Sequence, residues 1–237
     1  MRTPRAVARA LAAGQPGGTL AVPLALHVSA RIAERDAEDF VYDATQLANA
    51  LRDLIEAVGP DGVPVTDPAV LLAGCASAES ILASDQLKVA LEATRRLRAA
   101  YGDAIALAAV LPGPATIAGL AGPAETAGAG AVATGVVVTL GREFLAAGAD
   151  VLITADREEL PGTSLATLAN VARFHQALAL AHTAARYGLP PAASRDLHSP
   201  GHVPGVAVTP ESLTRDTDIA VLRDWVAAVR GDAPTMK

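Results

Sequence analysis

Short runs of Val, Ile, Leu and Ala alternate along the chain with longer stretches in which apolar residues return every three or four positions. The runs fall at residues 19–28 (TLAVPLALHV), 62–66 (GVPVT), 104–111 (AIALAAVL) and 150–155 (DVLITA). Continuous apolar segments of this length predict parallel strands buried on both faces. Between them, residues 44–58 place Leu47, Leu51, Leu54 and Ile55 on one side of a helix that Gly59 and Pro60 end. Further helices are predicted over 84–101, 136–147 and 164–187, each followed by a glycine, at 102, 148 and 188.

Such βα alternation fits an open doubly wound sheet or a closed barrel. No G-x-G-x-x-G fingerprint follows the first strand. Polar residues do recur after strand ends: His27 and Arg31, Asp67, Asp156, then Arg195 and Asp196. A barrel gathers its catalytic groups on that rim, so the expected fold is α/β, an abbreviated (β/α) barrel of the TIM type. Residues 190–194 and 205–209 read as a fifth and a sixth strand, too close in sequence for a crossover helix between them. A helix over 216–230 closes the chain. Eight full βα units do not fit, so the barrel is either shortened or finished by unusual elements or by a second copy of the chain.

Composition narrows the function. With 51% apolar and 19% charged residues, the 237-residue chain can bury a sizeable core. A net charge of −6 and 3% aromatic residues supply neither the basic stripe nor the stacking platforms that nucleic acids require. No apolar run reaches membrane-spanning length, no phosphate-binding motif is present, and the N-terminal segment with Arg2, Arg5 and Arg9 reads as a short surface helix rather than a signal peptide. The expected location is the cytoplasm. The single cysteine, Cys75, rules out an internal disulfide and any metal site needing two thiolates from one chain.

Three stretches resemble the uroporphyrinogen decarboxylase superfamily, which also holds corrinoid methyltransferases and relatives of the cobalamin-independent methionine synthases. Residues 91–120 are similar to the family's helix, strand and Gly-x-Pro-x-Thr turn, here Gly113, Pro114, Ala115 and Thr116 without the first spacer. Residues 58–71 resemble the segment ending in the family's active-site aspartate, which falls on Asp67, and residues 141–156 resemble a strand that places a second acid at Asp156. The likeness spans about residues 19–185 and implies one barrel domain over 1–237, with 231–237 a flexible tail. Of the family's arginine-rich motif only Arg31 has a counterpart, and the C-terminal motifs are shortened. The implied activity is therefore a carbon–carbon lyase, decarboxylase-like, acting on a small acidic metabolite rather than a porphyrinogen. No cofactor is expected. Alternatives are methyl transfer linked to a corrinoid or folate with nonstandard metal ligands, and a non-catalytic barrel that binds a ligand or a partner.

The candidate catalytic residues are Asp67, His27 and Asp156. Asp67 would orient a proton or stabilise positive charge, although an Asp before Pro also caps turns and helices. His27, with an ordinary pKa near neutrality, is the candidate proton carrier. Arg31, Arg157 and Arg195 are the candidate substrate-binding residues, Arg31 through its bidentate fork. His198 and His202 beside Asp196 form a substitute metal pair for the methyltransferase alternative; no metal is expected in the leading reading. His175 and His182 read as packing or surface residues of one helix. The glycine-rich residues 119–135 fit a lid or a flexible connection.

Overall fold

The computed structural model describes residues 2–16, 18–34, 42–120, 126–182, 185–197 and 204–232. The chain runs α1 (Pro4–Ala12), β1 (Thr19–Val22), α2 (Leu26–Ile32), α3 (Ala44–Val58) and β2 (Gly62–Thr66). It continues through α4 (Pro68–Leu72), α5 (Ala78–Ala83), α6 (Asp85–Tyr101), β3 (Ala106–Pro112), α7 (Pro114–Gly119), α8 (Thr126–Ala147) and β4 (Val151–Ala155). It ends with α9 (Ala166–Phe174), β5 (Leu178–His182), β6 (Ala193–Ser194), β7 (Gly205–Val208) and α10 (Ile219–Arg230).

Among the described residues all ladder pairings are parallel. One sheet orders β2-β3-β4-β5 and the other β1-β7-β6. The two join at both edges. Ala181 bridges Pro191 where β5 meets the approach to β6, and Asp61 donates its N–H to the Ala21 carbonyl (3.0 Å) where β2 meets β1. Pro64, which has no N–H, sits in β2, the edge strand of its sheet, where proline is tolerated. The ring closes within one chain. This is an abbreviated (β/α) barrel.

Alternation along each strand separates two apolar layers. Leu20, Val22, Ala106, Ala108, Val151, Ile153, Leu180, Val206 and Val208 pack inside the ring. The alternate residues, among them Val63, Val65, Leu107, Ala109, Leu111 and Leu152, pack outward with Leu51, Leu54, Leu97, Phe144 and Trp225 of the helices. The inner face of β3 carries small residues, Ala106, Ala108 and Val110. α1 packs its Ala8 into the inner layer and plugs the N-terminal end, so it is a closing element rather than a surface helix. Below the strands, Asp150 receives Arg5 Nε (2.9 Å), Arg98 and the Leu107 N–H (3.0 Å), tying α1, α6 and β3 to the start of β4.

Several sequence expectations are corrected. The run 19–28 is not one strand: Pro23 cannot extend the ladder, and the apolar segment continues as α2, so His27 and Arg31 stand on a helix. The stretch 164–187 is not one helix. α9 ends at Phe174, Gln176 takes a left-handed φ of 56°, and residues 178–182 pair with β4. Alanine and leucine favour helix locally, and ladder pairing with a neighbouring strand overrides that preference. β6 and β7 are parallel with no helix between them among the described residues. The glycine-rich stretch becomes helix from Thr126, while 121–125 lie outside the described residues. α8 is long and apolar enough to cross a membrane, yet Val136, Val137, Leu140 and Phe144 are buried in the core. Of the expected tail, Gly231 caps α10 with a left-handed φ of 81°, and 233–237 lie outside the described residues.

Candidate functional site

The strand register brings Pro112, Ala155 and His182 side by side at the C-terminal rim. A cavity of about 860 Å³ opens there. Its wall draws Leu24 from after β1, Pro68 from α4 after β2, Thr116 from α7 after β3, Asp156 from after β4, His182 from the end of β5 and Glu211 from after β7. Leu24, Val110 and Ala155 give it an apolar floor, and Arg157 and Glu158 stand exposed at its edge.

Asp156 is buried and almost wholly surrounded by donors. Its Oδ2 accepts from the Ala115 N–H (2.8 Å) and the Tyr187 hydroxyl (2.6 Å), and its Oδ1 accepts from the Thr116 N–H (3.0 Å) and the Thr116 hydroxyl. The carboxylate thus fixes the first turn of α7 to the end of β4. Gly113, the residue before α7, is required here because a β-carbon would overlap that carboxylate. Burial, with the Asp156 hydrogen bond second, pushes the Tyr187 hydroxyl up to about 12. Tyr187 also accepts from the Leu160 N–H (3.2 Å), so it clamps the loop after β4 to the segment after β5.

Asp67 divides its two oxygens. Oδ1 accepts from the Val70 N–H (2.9 Å) and caps α4, while Oδ2 lies 2.9 Å from His27 Nε2. The pair joins α2, which follows β1, to the end of β2. The Asp67 carboxylate beside it raises the His27 pKa above the usual 6.5 against the opposing effect of burial. His27 remains about one third exposed, at 30%. Pro68, next to Asp67, lines the cavity; His27 and Asp67 themselves stand behind that wall.

The remaining expected residues are separated. Arg157 reaches the cavity edge. Arg31 donates to the Thr217 carbonyl (2.6 Å), joining α2 to the approach to α10, and does not line the cavity. Arg195 donates to the Ser194 carbonyl (2.8 Å), and its own carbonyl accepts from the Trp225 indole (3.1 Å), also away from the cavity. Sequence reasoning placed His182 on a helix as a packing or surface residue, and it did not single out Tyr187. His182 closes β5 with its Nε2 2.9 Å from the Pro210 carbonyl, and burial holds its pKa below the usual 6.5. An apolar run ending in a polar residue, LALAH, is the same signal that marked the other strands; the alanine-rich context hid it.

Among the described residues no three His, Cys, Asp or Glu side chains converge. Cys75 Sγ lies 3.5 Å from the Leu71 carbonyl and packs against the helix-side core, outside the ring. His198 and His202 lie outside the described residues. The zinc–thiolate set of corrinoid methyltransferases does not fit these residues.

No protein-family model matches the chain, and no curated protein matches it by sequence. Among solved structures it is similar to a methyltransferase from Methanosarcina mazei, with a TM-score of 0.65 and 14% identity over 96% of this chain and 98% of that one. The likeness is one of fold: both chains adopt the same barrel architecture over nearly their whole length.

Proposed function

We propose that the barrel mouth is the active site of a small-molecule enzyme of the uroporphyrinogen decarboxylase-like kind, a carbon–carbon lyase acting on a small carboxylated metabolite. The observation that carries this reading is the convergence of residues from the ends of β1 to β5 and β7 on one cavity, with a His–Asp pair at its margin. Arg157 anchors a substrate carboxylate. His27, whose pKa Asp67 raises, is the general acid and delivers its proton past Pro68 into the cavity through water: as the bond to the departing carboxyl breaks, its electron pair stays on carbon, takes that proton, and carbon dioxide leaves. Asp67 is a positioning residue, as is Asp156, which holds α7 and Tyr187 at the rim. Asp156, Glu158 and Glu211 against a single arginine disfavour a polyanionic macrocycle.

The similarity to a methyltransferase supports a second reading, methyl transfer. Among the described residues no thiolate–metal centre is available to such a reaction.

Two turnover assays test these readings: carbon dioxide release from a panel of small carboxylic acids, and demethylation of methylcobalamin or methyltetrahydrofolate in the presence of a thiol. Whichever activity is present should fall by roughly 10²–10⁴ in His27→Gln. Equal turnover in the wild type, His27→Gln and Asp67→Asn overturns the assignment.

A further inference from the structure

We propose that Glu159 is a positioning residue of the barrel mouth, holding Arg157 at the cavity edge through the main chain of Tyr187; the substrate role of Arg157 rests on the reading above. The loop after β4 is folded around Tyr187, which belongs to the segment after β5. The Tyr187 carbonyl accepts from the Leu165 N–H (3.0 Å), and its hydroxyl accepts from the Leu160 N–H (3.2 Å) and donates to Asp156 (2.6 Å). The Tyr187 N–H donates to Glu159 Oε1 (2.9 Å). All of these partners lie between residues 156 and 165.

The Tyr187 backbone is itself strained. It takes a left-handed φ of 50°, which a bulky residue adopts only where its surroundings impose it. Glu159 supplies part of that constraint: the same Oε1 accepts from the Arg186 N–H (2.6 Å), so one carboxylate oxygen grips two successive amides. Those hydrogen bonds, with the Arg186 charge adding to them, hold the Glu159 carboxyl below the usual carboxylate range. It is ionised at neutral pH, and charge-assisted bonds of this kind are the stronger ones. Asp156 and Tyr187 are buried, whereas Glu159 is exposed, so its grip can be altered without opening the core.

Asp156 is pinned to α7, and Glu159 to the turn at 186–187. Arg157 and Glu158, both at the cavity edge, are the residues strung between these pins. A span this short, anchored at each end, restricts the Arg157 main chain before any substrate arrives, and the entropy lost on binding a carboxylate falls accordingly. Without Glu159 the next attachment is the Leu160 N–H, and that bond goes to the same Tyr187, whose strained backbone has then lost its support.

Amide ¹⁵N relaxation in the wild type, Glu159→Ala and Glu159→Gln tests this. Arg157 and Glu158 should show order parameters near the rigid-backbone value of about 0.85 in the wild type and below about 0.6 in Glu159→Ala. Glu159→Gln should restore them, because its amide oxygen still accepts both N–H groups. For whichever carboxylic acid the assay above shows to be turned over, Glu159→Ala should raise KM about tenfold and leave kcat within about twofold, since His27 stands on α2, away from this loop. Order parameters unchanged in Glu159→Ala, or a loosening spread over the whole barrel instead of confined to the loop, overturn the inference whatever the turnover assay gives. A loosened loop with KM unchanged overturns the link to Arg157. Equal turnover in the wild type and His27→Gln beside a loosened loop overturns the lyase reading alone and upholds the grip of Glu159.

Discussion

The carboxylate of Asp156 occupies the space that a β-carbon on Gly113 would need. The backbone at Gly113 is ordinary extended chain, φ −82°, so the demand for glycine here is steric rather than conformational. Gly113→Ala should therefore destabilise through overpacking by about 1–3 kcal/mol. It should also loosen the Asp156 contacts to Ala115 and Thr116. Thermal unfolding would read the loss directly; an unchanged midpoint would mean that the hub yields freely.

His27 and Asp67 make a titration prediction of definite sign. The Asp67 carboxylate 2.9 Å away raises the His27 pKa, so the pair's contribution to stability is complete below the ordinary histidine value of 6.5 and is lost as pH rises through the raised one. In Asp67→Asn the raising interaction is gone while burial remains, and the His27 pKa should drop below its wild-type value. Proton NMR of the imidazole ring would follow both titrations. Coincident curves would show that the pair is not formed in solution.

His182 should act in the opposite direction. Its pKa is lowered, so on acidification the unfolded chain takes a proton before the folded one does, and stability falls as pH drops from 6.5 toward the lowered value. His182→Gln removes the titrating ring. Urea midpoints measured across that range should fall more steeply for the wild type than for the variant.

Beneath the barrel, Asp150 is 5% exposed at its side chain and neutralises Arg98 and Arg5 while accepting the Leu107 N–H. Asp150→Ala would leave a half-buried guanidinium and a buried amide without their acceptor. A loss of about 3–5 kcal/mol is expected by urea unfolding, far above that of an exposed pair such as Lys88 and Asp85.

Much of this was legible before any coordinates. The apolar runs at 62–66, 104–111 and 150–155 became β2, β3 and β4 within two residues, because strands buried on both faces must be apolar throughout. Asp67 and Asp156 were visible as polar breaks at strand ends. Asp67 shows how much such a reading holds back: the cap and the histidine partner are both present, one on each oxygen. Residues 178–182 were hidden, since five apolar-leaning residues in an alanine-rich stretch satisfy helix and strand periodicity alike.

The sequence by itself determined the alternation of strands and helices, the parallel arrangement and the acids that end the strands, because those follow from local burial and turn chemistry. Only the tertiary structure decided that the ring closes through short contacts at Ala21 and Pro191, that Arg31 and Arg195 turn away to main-chain carbonyls, and that His182 closes the floor of the cavity. Each of these depends on which distant segment arrives beside a given side chain. Pairing across the ring sets that, and no local pattern records it.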